Sequence, residues 1–241
     1  MRQPAISLVI PVYNEEENLP VLAREIVAAM AEIADTWEVL FVDDGSTDAS
    51  LSVIRSLAAE IPECRYIAFA KNCGQSAAFA AGFQEAAGSV IVTLDADLQN
   101  DPADIPPMLS LYGKDGITVV VGWRAHRKDT LAKRLASKLG NTVRNWITGD
   151  TIKDTGCSLK VMPADMARAI PVFNGMHRFF TALLRLEGAK VAEMKVNHRP
   201  RLAGVSKYGI WDRARKTGAD LLAVRWLQKR HITYHIAERK E

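Results

Sequence analysis

Two aspartates that follow an apolar run are the residues best suited to chemistry in this 241-residue sequence. The run 90–94 (VIVTL) predicts a short buried strand, and Asp95 and Asp97 come directly after it. Side chains two apart on an extended chain point the same way, so the carboxylates converge if the chain stays extended there. Such a pair can hold a divalent cation together with phosphate oxygens. A solvated turn is the alternative explanation of this short spacing.

Polar clusters also follow two earlier predicted strands. Strands over 5–11 and 37–42 lead into residues 11–15 (PVYNE) and 43–48 (DDGSTD). Further strands over 64–69 and 90–94 alternate with three predicted helices, which indicates a parallel sheet flanked by helices. The predicted helices span about 15–33, 49–60 and 76–87. Ligands bind outside the carboxyl ends of the strands in such sheets, so we predict a nucleotide-type site in the N-terminal half.

The sequence contains neither of the two common glycine-rich phosphate motifs. Gly-x-Gly-x-x-Gly and Gly-x-x-x-x-Gly-Lys-Ser/Thr are both absent, which disfavours a dinucleotide-binding fold and a P-loop. A composition of 48% hydrophobic and 24% charged residues is that of a soluble globular protein, and no run predicts a membrane span or a signal peptide. The three cysteines have no metal-like spacing and favour a reducing cytosol.

Charge is divided unevenly between the two halves of the chain. Residues 1–100 contain 5 Lys or Arg against 15 Asp or Glu, and residues 101–241 contain 26 against 13. The acidic half suits cations and nucleoside hydroxyls, and the basic half suits phosphates, nucleic acid or an anionic membrane face. Uneven solvated surface charge explains the same counts without any ligand.

The basic half contains four segments that point to anionic partners. Two predicted amphipathic helices, about 131–147 and 210–230, combine apolar and cationic residues, which suits either packing on the core or a membrane surface. His177 and Arg178 stand at the positive end of a predicted helix, where an anionic ligand or partner would balance them. A glycine-containing basic loop over 201–207 is suited to closing over a diphosphate.

Six segments in order carry a resemblance to a known family. They are 11–15 (PVYNE), 42–46 (VDDGS), 71–75 (KNCGQ), 95–99 (DADLQ), 154–158 (DTGCS) and 201–207 (RLAGVSK). Together they resemble the motifs of GT-A glycosyltransferases of family 2, and more narrowly the dolichol-phosphate mannose synthase and polyprenyl-phosphate glycosyltransferase branch. The resemblance spans about residues 5–210. It implies a Rossmann-like, mostly parallel α/β sheet flanked by helices, with basic amphipathic membrane-facing helices and no transmembrane span.

The resemblance implies an inverting, metal-dependent transfer of a sugar from a GDP- or UDP-sugar to a polyprenyl phosphate. The enzyme would be cytoplasmic and peripheral on the inner membrane face, with Mg²⁺ or Mn²⁺ as cofactor. Many relatives carry two C-terminal transmembrane helices that this sequence lacks, so surface helices or a separate membrane-anchoring protein would reach the lipid. We expect a catalytic domain over 1–209, a helical tail over 210–241 and no nucleic-acid partner; homo-oligomerisation is left open.

The resemblance also implies roles for individual residues. Those assigned to the donor are Pro11, Tyr13, Asn14, Glu15, Asp43, Asp44, Lys71, Gly74, Gln75 and Arg124. Asp95, Asp97 and Gln99 would hold the metal on the diphosphate, with Arg201 and Lys207 closing over it. Lys133, Arg134 and Ser137 would contact the acceptor phosphate. Asp97, Arg134 and Arg201 form the predicted catalytic set.

Three other functions fit parts of the sequence. A family 2 enzyme with a hydroxyl acceptor would need a carboxylate base, for which Asp154 is the candidate. A catalytically silent nucleotide-sugar-binding protein would share the same motifs, and nucleic-acid binding has only the charge of the basic half in its favour. A lipid phosphate is itself an anionic nucleophile, because its second pKa is about 6. Such an acceptor therefore needs no strong base.

Overall fold

The protein forms one seven-stranded sheet with helices on both faces. The structure, a computed structural model, describes residues 3–125, 142, 144–200, 210–232 and 238, and only the backbone of 210–217. The strands are β1 (Ile6–Val12), β2 (Trp37–Asp43), β3 (Cys64–Ala68), β4 (Val90–Thr93), β5 (Val119–Trp123), β6 (Lys160–Pro163) and β7 (Val191–Lys195). Their order across the sheet is β3-β2-β1-β4-β6-β5-β7.

The sheet is mostly parallel, as predicted. β1 pairs in parallel with β2 and β4, β2 with β3, and β5 with β7. The exception is β6, which runs antiparallel to both β4 and β5. The carboxyl ends of β1, β2 and β4 therefore lie along one edge, and the loops after these strands meet there.

The helices cover the two faces of the sheet. They are α1 (Leu19–Met30), α2 (Ser50–Glu60), α3 (Gln75–Glu85), α4 (Ile105–Leu111), α5 (Ala164–Ala169), α6 (Phe180–Leu186) and α7 (Ile210–Arg230). Side chains alternate along β1, so Leu8 and Ile10 pack with α1, α2 and α4, whereas Val9 packs with α3 and the C-terminal helices. Leu221 and Val224 of α7 are buried in this second cluster.

Most predicted elements are present, with ends that differ by a few residues. The largest difference is at α1, which begins at Leu19 and ends at Met30 rather than spanning about 15–33. Glu15, Glu16 and Glu17 lie in the preceding turn, and the first turn of α1 contains no acidic residue. The predicted helix over about 15–33 is therefore shorter at both ends, and Pro20 lies in its first turn.

The two basic amphipathic helices are described to different extents. The C-terminal helix is confirmed as α7, with the predicted bounds. Of the predicted helix over 131–147, only residues 142 and 144–147 are among those described, and they are helical, as is 148. Within the described residues, no helix has the length and apolar character needed to cross a membrane. The division into 1–209 and 210–241 stays a prediction.

Candidate functional site

The loops after β1 and β2 are joined by hydrogen bonds. The backbone N–H of Asn14 donates to Ser46 Oγ at 3.0 Å, and that of Thr47 donates to Asn14 Oδ1 at 2.8 Å. Asn14 has a left-handed φ of 56°, a conformation that asparagine adopts more readily than most residues. The predicted polar segments 11–15 and 43–48 are therefore brought together, and Asn14 is the residue that connects them.

The acidic residues after β1 help to hold the start of the second helix. Glu16 Oε2 accepts the N–H of Ala49 at 2.6 Å, and the N–H of Glu15 donates to Ser50 Oγ at 2.8 Å. Asp48 also accepts the N–H of Ser50, at 2.9 Å. A carboxylate near a helix N-terminus satisfies otherwise unpaired N–H groups. These residues thus contact the start of α2, which is distant in sequence, and Glu15 also contacts the start of α1, where its carboxylate accepts the side-chain amide of Asn18 at 2.7 Å.

Asp43, at the end of β2, offers a buried acceptor to a ligand. Its side chain is 1% exposed, and Oδ2 accepts the N–H of Ser46 at 3.3 Å. Oδ1 is buried and has no hydrogen-bond partner in the structure. A buried acceptor without a donor is costly in free energy. The arrangement suits a ligand N–H or hydroxyl, as the assignment of Asp43 to a nucleoside requires.

Asp44 holds the loop that precedes α3. Its carboxylate accepts the N–H of Cys73 at 2.6 Å, the N–H of Gly74 at 2.9 Å and the side-chain amide of Asn72 at 3.0 Å. Burial raises the pKa of Asp44, and the N–H bonds from Cys73 and Gly74 oppose that rise. Asp44 therefore fixes the position of residues 72–74 through protein contacts.

Gly45 lets the same two loops approach closely. It has a φ of +66°, and a Cβ at this position would lie 2.4 Å from the carbonyl carbon of Lys71. Only glycine tolerates both the conformation and the contact. The exposed Lys71 is thereby placed beside the strand ends, and its assignment to the donor stays a prediction.

The carboxylate pair lies on a turn and not on an extended strand. β4 ends at Thr93, residues 96–97 form a turn, and Leu98 has a φ of 59°. The condition of an extended chain is not met, because the backbone turns at residues 96–97. The two carboxylates still lie close together: burial, and next the charge of Asp97, raise the pKa of Asp95 to about 6.

Neighbouring groups support this carboxylate pair. Gln75, the first residue of α3, donates its side-chain amide to Asp95 Oδ1 at 2.8 Å. The N–H of Gln99 donates to Asp97 Oδ1 at 3.2 Å. Gln75, Asp95, Asp97 and Gln99 are thus brought together, and their roles at a metal or a donor stay predictions.

The residues present fit a divalent cation that is shared with a ligand. No group of three or more His, Cys, Asp or Glu in the described part of the chain forms a metal site by itself. Two like-charged carboxylates, one with a raised pKa, gain from a bound cation. Mg²⁺ commonly takes one or two protein carboxylates and completes its coordination with phosphate oxygens and water. Asp95 and Asp97 would provide the protein part of such a site.

Arg124 and Asp154 form a buried ion pair beside this site. Arg124 Nε and an Nη donate to the two oxygens of Asp154 at 2.7 and 2.9 Å, and both side chains are largely buried. Burial lowers the pKa of Arg124, but the hydrogen bonds and charge of Asp154 outweigh that effect and hold it above its ordinary value. The pair commits the guanidinium of Arg124 to Asp154, and its assignment to the donor stays a prediction.

A cavity of about 840 Å³ opens beside Asp95 and extends to the C-terminal helices. Among the described residues, the charged or ionisable side chains that line it, apart from Asp95 and two cysteines, are Lys160, His177, Arg178 and Asp220. None of these four was assigned a site role from the sequence. Lys160 is 2% exposed and donates to the carbonyl of Cys157, and burial lowers the pKa of its amine.

The sequence did indicate two of these four cavity residues. His177 and Arg178 are cations at the start of a predicted helix, where an anionic partner is expected, and the Arg178 guanidinium lies 3.9 Å from the carboxylate of Asp220 in α7. Nothing in the local sequence pairs residue 178 with residue 220, because the contact depends on how α7 packs. Five predicted site residues lie outside the described residues, namely Lys133, Arg134, Ser137, Arg201 and Lys207.

Fold and site together define an α/β protein of the GT-A class. A carboxylate pair follows the central strand β4, and Asp43, whose Oδ1 has no hydrogen-bond partner, ends strand β2. Residues 7–167 match the model of the family described as Glycosyl transferase family 2. The chain belongs to this family, as the sequence motifs indicated.

Two curated relatives are named for activities on polyprenyl phosphates. The dodecaprenyl-phosphate galacturonate synthase of Rhizobium johnstonii is 40% identical over 93% of this chain and 67% of its own length. The undecaprenyl-phosphate 4-deoxy-4-formamido-L-arabinose transferase of Pectobacterium carotovorum is 42% identical over 84% of this chain and 62% of its own length. The chain therefore spans less than two thirds of the second relative and about two thirds of the first.

Solved structures of the same fold are more distant in sequence. Glucosyl-3-phosphoglycerate synthase from Mycobacterium tuberculosis, in complex with Mn²⁺, UDP and its product, has a TM-score of 0.67 at 16% identity, over 93% of this chain and 80% of its own. Mannosyltransferase PcManGT from Pyrobaculum calidifontis, in complex with GDP-Man and Mn²⁺, has a TM-score of 0.59 at 16% identity. The match covers 97% of this chain and 66% of its own length. At this identity the likeness establishes the fold.

Proposed function

We propose that this protein transfers a sugar from a nucleotide diphosphate sugar to a polyprenyl phosphate, with inversion and with Mg²⁺ or Mn²⁺ bound. The observation that carries the choice of acceptor is the Arg124–Asp154 pair. Both oxygens of Asp154 accept hydrogen bonds from one guanidinium, so both are engaged in the ion pair. A hydroxyl acceptor needs a base, and the candidate base is occupied in this way. A phosphate acceptor needs none.

The donor half of the proposal is supported by the strand-end loops. The unsatisfied Oδ1 of Asp43 suits an N–H or hydroxyl of the nucleoside, with Pro11, Tyr13 and Glu15 on the neighbouring strand and loop. Solved structures with this fold contain UDP or GDP-Man together with Mn²⁺. The nucleotide base is left open between guanine and uracil.

The diphosphate would lie at the carboxylate pair. Asp95 and Asp97, with Gln99 adjacent, would hold the divalent ion, and Arg201 and Lys207 would close over the phosphates. The bound ion supplies positive charge that stabilises the departing diphosphate. Gln75 keeps the carboxylate of Asp95 oriented through its amide hydrogen bond. The chain itself thus contributes mainly orientation and electrostatics.

The acceptor half is supported by the relatives and by surface composition. Both curated relatives described above are named for transfer to a polyprenyl phosphate. Lys133, Arg134 and Ser137 are the proposed contacts to the acceptor phosphate. The cytoplasmic face of a membrane is the proposed location, and exposed Trp146, at 83%, and Trp226, at 62%, are typical of a membrane interface. A separate anchoring protein and a homo-oligomer stay open.

The test is transfer of radiolabel from a panel of GDP- and UDP-sugars into an organic-extractable polyprenyl phosphate, with Mn²⁺ or with EDTA. We expect lipid labelling from one donor, lost with EDTA and reduced at least about a hundredfold in Asp97→Ala, because the cation loses a ligand. Asp35→Ala removes an exposed carboxylate in the turn before β2 and serves as the control.

Two outcomes would contradict the proposal. Transfer to a water-soluble sugar in the absence of lipid would identify a hydroxyl acceptor. Donor binding without turnover on any acceptor would identify a nucleotide-sugar-binding protein.

A further inference from the structure

The cavity beside Asp95 has the chemistry of a sugar-binding pocket. Phe79 and Phe180 provide apolar surface, and Asn174 and His177 add polar groups. Pockets of this kind hold a ligand by apolar contact and orient it with a few hydrogen bonds. If the diphosphate lies at Asp95 and Asp97, as proposed above, the transferred sugar extends from it into this cavity. The inference below rests on that proposed function.

Residues 174–178 are held in place against the start of α3. Ser76 is 4% exposed, and its Oγ accepts the N–H of Gly175 at 2.8 Å. The same Oγ lies 2.9 Å from His177 Nδ1. This bond orients the imidazole, which lines the cavity. The wall formed by His177 and Arg178 is therefore fixed by α3, the helix that also positions Gln75.

Helix α7 completes the same wall. A Cβ on Gly175, which has a φ of +100°, would lie 2.7 Å from Asp220 Oδ2. Glycine at 175 therefore allows the carboxylate of Asp220 to come close to the loop. Ala219 and Asp220 line the cavity, while Leu221 and Val224 anchor the helix in the core.

Arg178 and Asp220 are spaced so that one ligand atom can contact both. Arg178 Nη1 lies 3.9 Å from Asp220 Oδ2, which is within ion-pair range but beyond a hydrogen bond. An oxygen about 2.8 Å from each atom fits between them, accepting from the guanidinium and donating to the carboxylate. A hydroxyl oxygen can do both, an amide does so with two atoms because its carbonyl oxygen accepts and its N–H donates, and a carboxylate at neutral pH can only accept.

The carboxylate of Asp220 also opposes an anionic substituent at this point of the cavity. Among the described lining residues, Asp95 is assigned to the divalent cation, which leaves Asp220 as the carboxylate beside Arg178. A carboxylate on the sugar would be placed next to Asp220, and a like-charge contact in a partly buried site opposes binding.

We propose that Arg178, Asp220 and His177 form the selectivity site for the donor sugar and bind an uncharged hydroxyl or amide substituent. Arg178 and His177 contribute donors, and Asp220 contributes the acceptor that rejects uronic acids. The ion pair is thereby a specificity determinant and not only a contact that holds α7.

The test measures binding of intact donors in the presence of Mn²⁺ by calorimetry. The probes are matched pairs, namely UDP-glucose with UDP-glucuronate, UDP-galactose with UDP-galacturonate, and GDP-mannose with GDP-mannuronate, together with UDP and GDP alone. We expect the wild type to bind the uncharged member of the recognised pair about tenfold more tightly. Asp220→Asn removes the charge with little change of shape, and we expect it to reduce that preference about tenfold.

Two further variants separate selectivity from damage to the fold. Arg178→Gln is expected to weaken binding of the uncharged donor about tenfold and to change the affinity for the nucleoside diphosphate by no more than about twofold. Asp35→Asn, in the turn before β2, is expected to change neither the affinity for the uncharged donor nor the affinity for the nucleoside diphosphate.

Three outcomes would overturn the inference. They are a wild-type preference for the uronate, an unchanged preference in Asp220→Asn and Arg178→Gln, or a parallel loss of nucleoside diphosphate binding in those variants. A change confined to the KM for polyprenyl phosphate would assign the residues to the acceptor and overturn the inference equally. Selective donor binding without lipid labelling would contradict the proposed acceptor and leave the selectivity site standing.

Discussion

Asp95 lies in an environment that opposes its own ionisation. Burial and the charge of Asp97 raise its pKa to about 6, and the nearby charges of Lys160 and Arg124 offset only part of that rise. The folded state therefore binds a proton more tightly than the unfolded state, where the pKa is near 3.8. Stability contributed by this proton is present below pH 3.8 and is lost as the pH rises through about 6.

Removal of this charge should stabilise the metal-free protein. We expect Asp95→Asn to raise the free energy of unfolding by about 2 kcal/mol at pH 7.5, because the buried charge is removed while the Asn side chain keeps an acceptor for Gln75. No gain is expected at pH 3.5, because Asp95 is protonated there. Denaturant unfolding across this pH range in EDTA checks the prediction. Mn²⁺ should stabilise the wild type and not the variant. A gain that is equal at both pH values would contradict the assigned cause.

At the scale of elements, α3 determines the position of several site residues. Its first residues, Gln75 and Ser76, contact Asp95 and His177 respectively. Its interior glycine, Gly82, lies directly on β1, and a Cβ there would be 2.3 Å from Val9 Cγ1. Close packing of α3 on β1 thus sets how far its N-terminus reaches over the sheet edge.

Two glycine substitutions test this packing. We expect Gly82→Ala to lower the free energy of unfolding by about 1–3 kcal/mol, because the added methyl group overlaps Val9 in a close-packed core. Gly218→Ala is the matched control, since no atom lies within 4 Å of a Cβ at that helical position. It should raise stability by about 0.5–1 kcal/mol. Equal effects of the two substitutions would show that backbone propensity, and not packing, governs both.

At the scale of the whole molecule, exposed apolar residues gather near α7. Leu222, Trp226 and Ile232 are 67%, 62% and 80% exposed, and Trp146 is 83% exposed on the preceding helical segment. Gln228 of α7 donates to the carbonyl of Thr148 at 2.8 Å, which joins the two segments. Exposed cations accompany them, namely Arg225, Lys229 and Arg230. Aromatic and basic residues together favour an anionic membrane surface.

Vesicle binding tests this surface. We expect the chain to bind vesicles that contain anionic lipid, and Trp226→Ala to weaken that binding about fivefold, because the indole no longer enters the interface. Binding should also weaken as salt is raised. Tyr66→Ala, on the edge strand β3, removes a part-exposed aromatic and serves as the control. An equal loss in both variants, or binding to neutral vesicles alone, would contradict this role.

Local patterns in the sequence determined the elements and the ligand-binding edge of the sheet. Apolar runs that end in polar clusters predicted strands β1, β2 and β4, and the alternation with helices predicted their parallel pairing. Parallel strands of one sheet end at the same edge, so the placement of Asn14, Asp43 and Asp95 at that edge followed from the pattern alone. Ordered motifs also sufficed for the family, which the family comparison confirmed.

Tertiary structure decided the features that depend on contacts between distant segments. Three examples are the antiparallel direction of β6, the capping of α2 by Glu16 and the pairing of Arg124 with Asp154. In each of them the local sequence does not identify the partner. The turn at Asp97 replaced the predicted extended chain, although the carboxylates remained close. Hydrophobic patterning specifies which face of an element is buried, but not which neighbour it packs against. The wall formed by Arg178 and Asp220 therefore became visible only once α7 was packed on the core.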